Sequence, residues 1–272
     1  MVWRFEHTGC RDGAFNMEYD ESRARALCAA DGPCTLRVYG WKPPAISLGW
    51  HQSLDEIDVQ KCAEAGIDVV RRPTGGRAIL HSEELTYSVI MIAERASVLD
   101  AYQRISKALV HGLRTIGIDA RLEKSQHHFP SLYRLSSSAA CFSSAARYEI
   151  HVNGRKLVGS AQRRFAHTSG SGEEVVLQHG SILLGPDHLR IVDFFRMVDE
   201  GGRRALRREL EEKTIDIFTI LERRVAFDDV AQAVRRGFED SWGIRFEDAE
   251  MRPRDSRIDT QPSRYTSAAV ES

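Results

Sequence analysis

The chain has 272 residues, 28% charged and 42% hydrophobic, with a formal net charge of −1. Such a length fits one large domain or two modest ones, and buries enough surface to fold without disulfides. The balance is that of a soluble globular protein, and it supplies no overall positive charge for nucleic acid.

The five cysteines (Cys10, Cys28, Cys34, Cys62 and Cys141) are odd in number and form no Cys-x-x-Cys pair. That pattern argues against a disulfide framework or a zinc ribbon, and for a reducing compartment. The opening Met-Val-Trp-Arg-Phe-Glu-His has no apolar signal region, and no apolar run approaches the ~20 residues of a membrane helix. The expected location is the cytoplasm, with no membrane partner. Paired arginines at 203–204, 207–208, 223–224 and 235–236 read either as solvated helix faces or as a docking surface for an acidic protein.

In chain order, residues 1–8 read as an edge strand and 13–30 as a helix, ended by Asp31-Gly32-Pro33. Thr35 to Tyr39 reads as a strand, followed by one carrying Ile46, Leu48 and Trp50 on a single face. Asp55 is placed to cap a short helix that Gly66 closes. Ile67 to Val70 is a strand. Arg71-Arg72-Pro73-Thr74-Gly75-Gly76-Arg77-Ala78-Ile79-Leu80-His81 then reads as strand, glycine turn and strand. The two glycines permit positive φ and close approach of a ligand. The spacing is not that of a P-loop.

Leu85 to Ile92 is a strand, and Val98, Ala101, Tyr102, Ile105, Leu109, Leu113 and Ile116 form a helical stripe that Gly117 closes. Residues 119–123 read as a strand. Residues 124–138 form a polar connection whose His127-His128 pair lacks metal-ligand spacing, so no metal is expected. Asn153-Gly154 between alternating segments is a type I′ hairpin signal. It sets His151 opposite Lys156, and puts Glu149 on the same sheet face. Val175 to Gln178 and Ser181 to Leu184 read as strands separated at His179-Gly180. Helices are expected near 188–198, 201–222 and 227–240, with a last strand or turn at 244–249. The pattern is α+β: a single domain over 1–250, then a polar tail at 251–272.

Cys141 follows Ser136-Ser137-Ser138-Ala139-Ala140, a run of small residues. It reads either as an inert thiol or as an accessible nucleophile whose thiolate Lys156 favours. Lys156 in turn reads either as half of a surface pair with Glu149 or as a cation that holds a developing oxyanion. His81, His151 and His179 are candidate proton carriers, with structural roles as the alternative.

The segments Arg71 to His81 with Glu84-Leu85-Thr86-Tyr87-Ser88, Ala140-Cys141-Phe142 with Tyr148-Glu149-Ile150, Gly154 to Gln162, and Leu177-Gln178-His179-Gly180-Ser181-Ile182 resemble the lipoate branch of the biotin and lipoate ligase superfamily. Gly-Gly-Arg at 75–77, the cysteine context and the short sequence after residue 185 look most like its cysteine-dependent octanoyltransferases. The resemblance implies the biotin/lipoate protein ligase catalytic fold, with mixed, mostly antiparallel sheets flanked by helices and no C-terminal accessory domain. It also implies octanoyl transfer from octanoyl-acyl carrier protein, through a Cys141 thioester, to a lysine of a lipoyl domain. The acceptor would be glycine cleavage H protein or a 2-oxoacid dehydrogenase acyltransferase subunit, and no ATP or other cofactor is required. Cys141 and Lys156 would be catalytic. Arg72, Gly75, Gly76, Arg77, His81, Gly159, Ser160, Ala161 and His179 would bind the acyl substrate. The alternatives are an ATP-dependent lipoate or octanoate ligase, an octanoyl amidotransferase between lipoyl-bearing proteins, and a non-catalytic acyl-binding module.

Overall fold

A computed structural model describes residues 3–93, 96–123, 149–167, 173–196 and 199–248. Eleven strands among these residues form two sheets. The strands are β1 (Trp3–Arg11), β2 (Cys34–Trp41), β3 (Ala45–Leu48), β4 (Asp68–Arg71), β5 (Ile79–His81), β6 (Glu84–Ile92), β7 (Arg121–Glu123), β8 (Glu149–Val152), β9 (Arg155–Ala166), β10 (Glu174–Leu183) and β11 (Phe246–Asp248). The large mixed sheet runs β11-β1-β2-β6-β10-β9-β8-β7, and the small one β4-β3-β5. The described helices are α1 (Gly13–Cys28), α2 (Val59–Glu64), α3 (Val98–Thr115), α4 (Glu200–Lys213), α5 (Ile217–Leu221) and α6 (Phe227–Trp242), with 3-10 segments at Leu54–Glu56 and Pro186–Phe194.

Strand register sorts the large sheet into two faces. Tyr39, Thr86, Ser181 and Gly159 lie in one cross-strand row, and Arg37, Ser88, His179 and Ala161 in the next. Residues directly opposite share a face, so these eight look the same way, toward α1. The other face carries Leu36, Val38, Leu85, Tyr87 and Val89, which join the core with Ala101, Ile105 and Leu109 of α3. Alternation on β3 gives the small sheet two roles. Ala45 packs with Met17, Tyr39 and Trp41, while Ile46 and Leu48 enter a second core with Ile57, Cys62, Val192 and Leu206.

Several sequence expectations change. The first strand is not an edge, because β11 pairs beyond it. Asp58, not Asp55, caps α2, its carboxylate accepting from Lys61 N at 3.1 Å. β10 runs unbroken through His179-Gly180, since pairing with β6 on one side and β9 on the other supplies the order that a lone glycine lacks. The helix expected over 201–222 divides into α4 and α5. At the break Ile215 N donates to the Lys156 carbonyl at 3.0 Å, and Asp216 caps α5. The segment expected as a helix near 188–198 is 3-10 over Pro186–Phe194. Residues 124–148 and 249–272, including Cys141, His127, His128 and the tail, lie outside the described residues.

Candidate active site

Arg72 braces the glycine turn between β4 and β5 from within. Arg72 is 4% exposed. Its Nη1 donates to Ser47 O and Oγ at 2.8 and 3.0 Å, Nε to Gly75 O at 3.0 Å, and Nη2 to Arg77 O at 2.7 Å. Burial pushes its pKa down to about 10. The guanidinium therefore braces the turn, and its donors are spent on this chain rather than on a ligand. Gly76 has φ +99°, and a Cβ there would come 2.6 Å from Arg72 Nη2. A Cβ on Gly49 would collide with the Gly76 carbonyl, so glycine at 49 lets β3 approach the turn. Trp50 N seals that approach by donating to Thr74 O at 2.9 Å.

Two buried histidines flank the turn. His81 stacks on Trp41 with ring centroids 4.0 Å apart and planes 9° off parallel. Its Nε2 lies 2.7 Å from Ser47 Oγ and its Nδ1 2.8 Å from Glu84 Oε1. Glu84 also accepts from Thr86 Oγ1 at 2.5 Å and Ser181 Oγ at 2.9 Å. Burial works to raise its carboxyl pKa, but His81 and these donors outweigh it, and the pKa falls below the usual value. His179 Nε2 lies 2.6 Å from Thr74 Oγ1, and its Nδ1 3.4 Å from Asp20 Oδ2. Burial lowers the His179 pKa against the pull of Asp20.

The hairpin builds the facing wall. Asn153 and Gly154 have φ of 51° and 75°, and the pairing is Val152 with Arg155 and His151 with Lys156, as the turn signal predicts. Lys156 Nζ donates to Glu149 Oε1 at 2.5 Å. This is not an exposed surface pair, because the two side chains are 24% and 12% exposed. Burial opposes ionisation of Glu149, yet Lys156 and His151 hold its pKa below the usual value. Gly159 leaves room for the lysine, since a Cβ there would sit 2.9 Å from Lys156 Cε.

These parts enclose one cavity of about 520 Å³, within the range of small-molecule sites. Lys156, Arg72, Gly75, Gly76, Arg77, His81, Gly159, Ser160, Ala161 and His179 all line it. His151 does not, being buried beside Glu149. Sequence reasoning missed Trp41, Ser47, Gln52, Thr86, His188 and Thr214, which also line it. The sequence does carry a signal for Ser47: it alternates with Ile46 and Leu48, so it faces away from the core that those two enter. Of the paired arginines, Arg203, Arg207, Arg224 and Arg235 make ion pairs with Glu200, Asp193, Glu83 and Glu239.

Two sheets closed over an apolar pocket, with a braced glycine turn on one wall and a glutamate-held ammonium on the other, define an α+β domain with a cavity of small-molecule size. The chain belongs to the lipoyl protein ligase A/B catalytic domain family, whose model matches residues 12–239. It is 40% identical over 256 residues to octanoyltransferase LipM of Kyrpidia tusciae, covering 92% of this chain and 91% of that protein. It is 37% identical over 260 residues to octanoyltransferase LipM of Bacillus subtilis, covering 92% and 90%. Among solved structures, a bi-partite lipoate protein ligase from Thermoplasma acidophilum superposes with a TM-score of 0.75 at 21% identity, covering 94% of this chain and 89% of that one. A lipoate-protein ligase A bound with ATP gives 0.71 at 21% identity, covering 94% and 92%. These two likenesses carry the fold: the catalytic fold of the lipoate ligases.

Proposed function

We propose that the protein is an octanoyltransferase of lipoate biosynthesis. It moves octanoyl from acyl carrier protein to a lysine of a lipoyl domain, on glycine cleavage H protein or a 2-oxoacid dehydrogenase subunit. The observation that carries this reading is the near full-length match to octanoyltransferases. The cavity agrees with it, because it pairs apolar walls for an acyl chain with an ammonium.

Two exchanges make up the reaction. The Cys141 thiolate attacks the thioester carbonyl, a carbon–sulfur bond forms, and the carrier's thiolate leaves and takes a proton. The acceptor lysine, as free amine, then attacks the same carbon. An amide forms, the carbon–sulfur bond to Cys141 breaks, and the amine's proton leaves with the departing thiolate or to water. The first step trades thioester for thioester and the second runs downhill to an amide, so neither needs ATP. Lys156 favours the thiolate and holds the carbonyl oxygen as negative charge builds on it. Gly75, Gly76, Gly159 and Ala161 leave space for the chain, whose burial is worth ~0.8 kcal/mol per methylene. The proposed location is the cytoplasm. No helix among the described residues is long and apolar enough to cross a membrane.

Mixing the protein with octanoyl-carrier and reading intact mass tests the covalent step. One octanoyl should appear at Cys141 and be lost on adding a lipoyl domain. Absence of the adduct, with transfer from free octanoate and ATP that survives Cys141→Ala, identifies a ligase instead.

A further inference from the structure

Two carboxylate–histidine–hydroxyl relays converge on the glycine turn. One runs from Glu84 through His81 to Ser47, and so to Arg72. The other starts on α1, far away in sequence. Asp20 is fully buried. Its Oδ1 accepts from Arg37 Nη1 at 2.8 Å, and its Oδ2 from Tyr39 OH at 2.9 Å. Arg37 is itself fixed, donating from Nε to Thr8 Oγ1 at 2.9 Å and from Nη2 to Asn16 Oδ1 at 2.7 Å. Beside this guanidinium the Asp20 pKa falls despite burial, so the carboxylate only accepts. A neutral His179 must then carry its proton on Nδ1, facing Asp20, and leave Nε2 to accept from the Thr74 hydroxyl. Thr74 is 1% exposed, and its chain continues directly into Gly75 and Gly76 on the cavity wall.

We infer that Asp20 is a positioning residue for acyl transfer: through the Nδ1–H form of His179 it holds Thr74, and so sets where the glycine turn meets the acyl group. The inference rests on the acyl-transfer reading above. It also assigns the relay an effect on rate rather than on binding. The apolar walls still hold the chain when the turn loosens, but the carbonyl is no longer aligned with its nucleophile.

The test uses the full chain with octanoyl-carrier as donor and a lipoyl domain as acceptor. Thr74→Val keeps the shape and removes the hydroxyl. It should lower kcat about tenfold with KM for the donor within about threefold, and Thr74→Ser should restore kcat. Asp20→Asn should lower kcat similarly, and the double variant Asp20→Asn/Thr74→Val should be no slower than the slower single, because the two act in one relay. Thr74→Val at wild-type kcat, Thr74→Ser as slow as Thr74→Val, or multiplied losses in the double variant would overturn the inference. The wild-type His179 ring nitrogens, read by NMR near neutral pH, give a check that needs no variant to fold. A neutral Nδ1–H tautomer is expected, and an Nε2–H tautomer overturns the relay. A wild-type protein that transfers no octanoyl refutes the function instead, and leaves the tautomer result standing.

Discussion

Gly159→Ala separates the place of the lysine from the stability of the fold. The added Cβ would lie 2.9 Å from Lys156 Cε and 3.2 Å from Nζ. Carbon atoms settle at about 3.5–4.0 Å, so the side chain must move about 0.6–1.1 Å. The obstructed group is the far end of a flexible chain, so the fold yields cheaply. Replacing glycine by alanine also trims the entropy of the unfolded chain by about 0.4–1 kcal/mol. Net stability should change by less than about 1 kcal/mol. The Nζ to Glu149 bond, now 2.5 Å, would lengthen by up to about as much as the side chain moves, and weaken. A misplacement near 1 Å costs about a hundredfold in rate. The assay is octanoyl transfer to a lipoyl domain by mass spectrometry, with urea unfolding in parallel. Transfer at the wild-type rate would refute the claim that the placement of the Lys156 side chain sets the rate. A loss of several kcal/mol would refute the claim that only the lysine moves.

Gly180→Ala should behave oppositely: its Cβ would meet the Gly159 carbonyl and approach Tyr87 Cε1 at 2.8 Å, so urea midpoints should show a loss of about 1–3 kcal/mol. Arg72→Lys supplies a point charge where a fork reaches Ser47, Gly75 and Arg77. Each buried carbonyl left without a donor costs about 1–3 kcal/mol, measurable by urea unfolding, and transfer should fall with it. Stability should also decline as pH falls through about 6.5. Burial lowers the His179 and His188 pKa values below that of a free imidazole, so between the folded and unfolded pKa values the unfolded chain binds protons that the folded one does not. Each histidine then contributes up to about 1.4 kcal/mol per pH unit. Urea unfolding at stepped pH, flat down to the carboxylate range, would contradict this.

The elements most legible in the sequence are those whose cause is local. Asn153-Gly154 fixes a turn, that turn fixes the pairing of His151 with Lys156, and the α3 stripe fixes one helix face. The residues that line the cavity between Arg72 and His81 and from Gly159 to Ala161 were legible as a substrate site only through resemblance, because a glycine pair does not announce what it faces. What escaped was long-range. Asp20 and His179 are 159 residues apart, and an aspartate on a helix reads as solvated until Arg37 is seen beneath it. The break between α4 and α5 escaped for a similar reason. Its cause is the Lys156 carbonyl, on a strand nearly sixty residues earlier.

That same carbonyl anchors the lysine to which the proposed reaction assigns the oxyanion. The Lys156 backbone is held by His151 on one side and by the Thr214 bridge on the other, and its ammonium is held by Glu149. Only the last of these contacts must yield for Nζ to turn to an acyl carbonyl. A charged hydrogen bond of this kind is worth about 1.5–3 kcal/mol. Burying the six methylenes of an octanoyl chain yields roughly 5 kcal/mol. The chain's burial therefore exceeds the cost of drawing the ammonium from Glu149, with no backbone movement required. A two-carbon acyl group has no such surplus. In the proposed reaction the affinity gained from the tail is therefore large enough to cover the lysine's turn to the carbonyl oxygen, a cost that a short acyl group must meet from its contacts at the thioester alone.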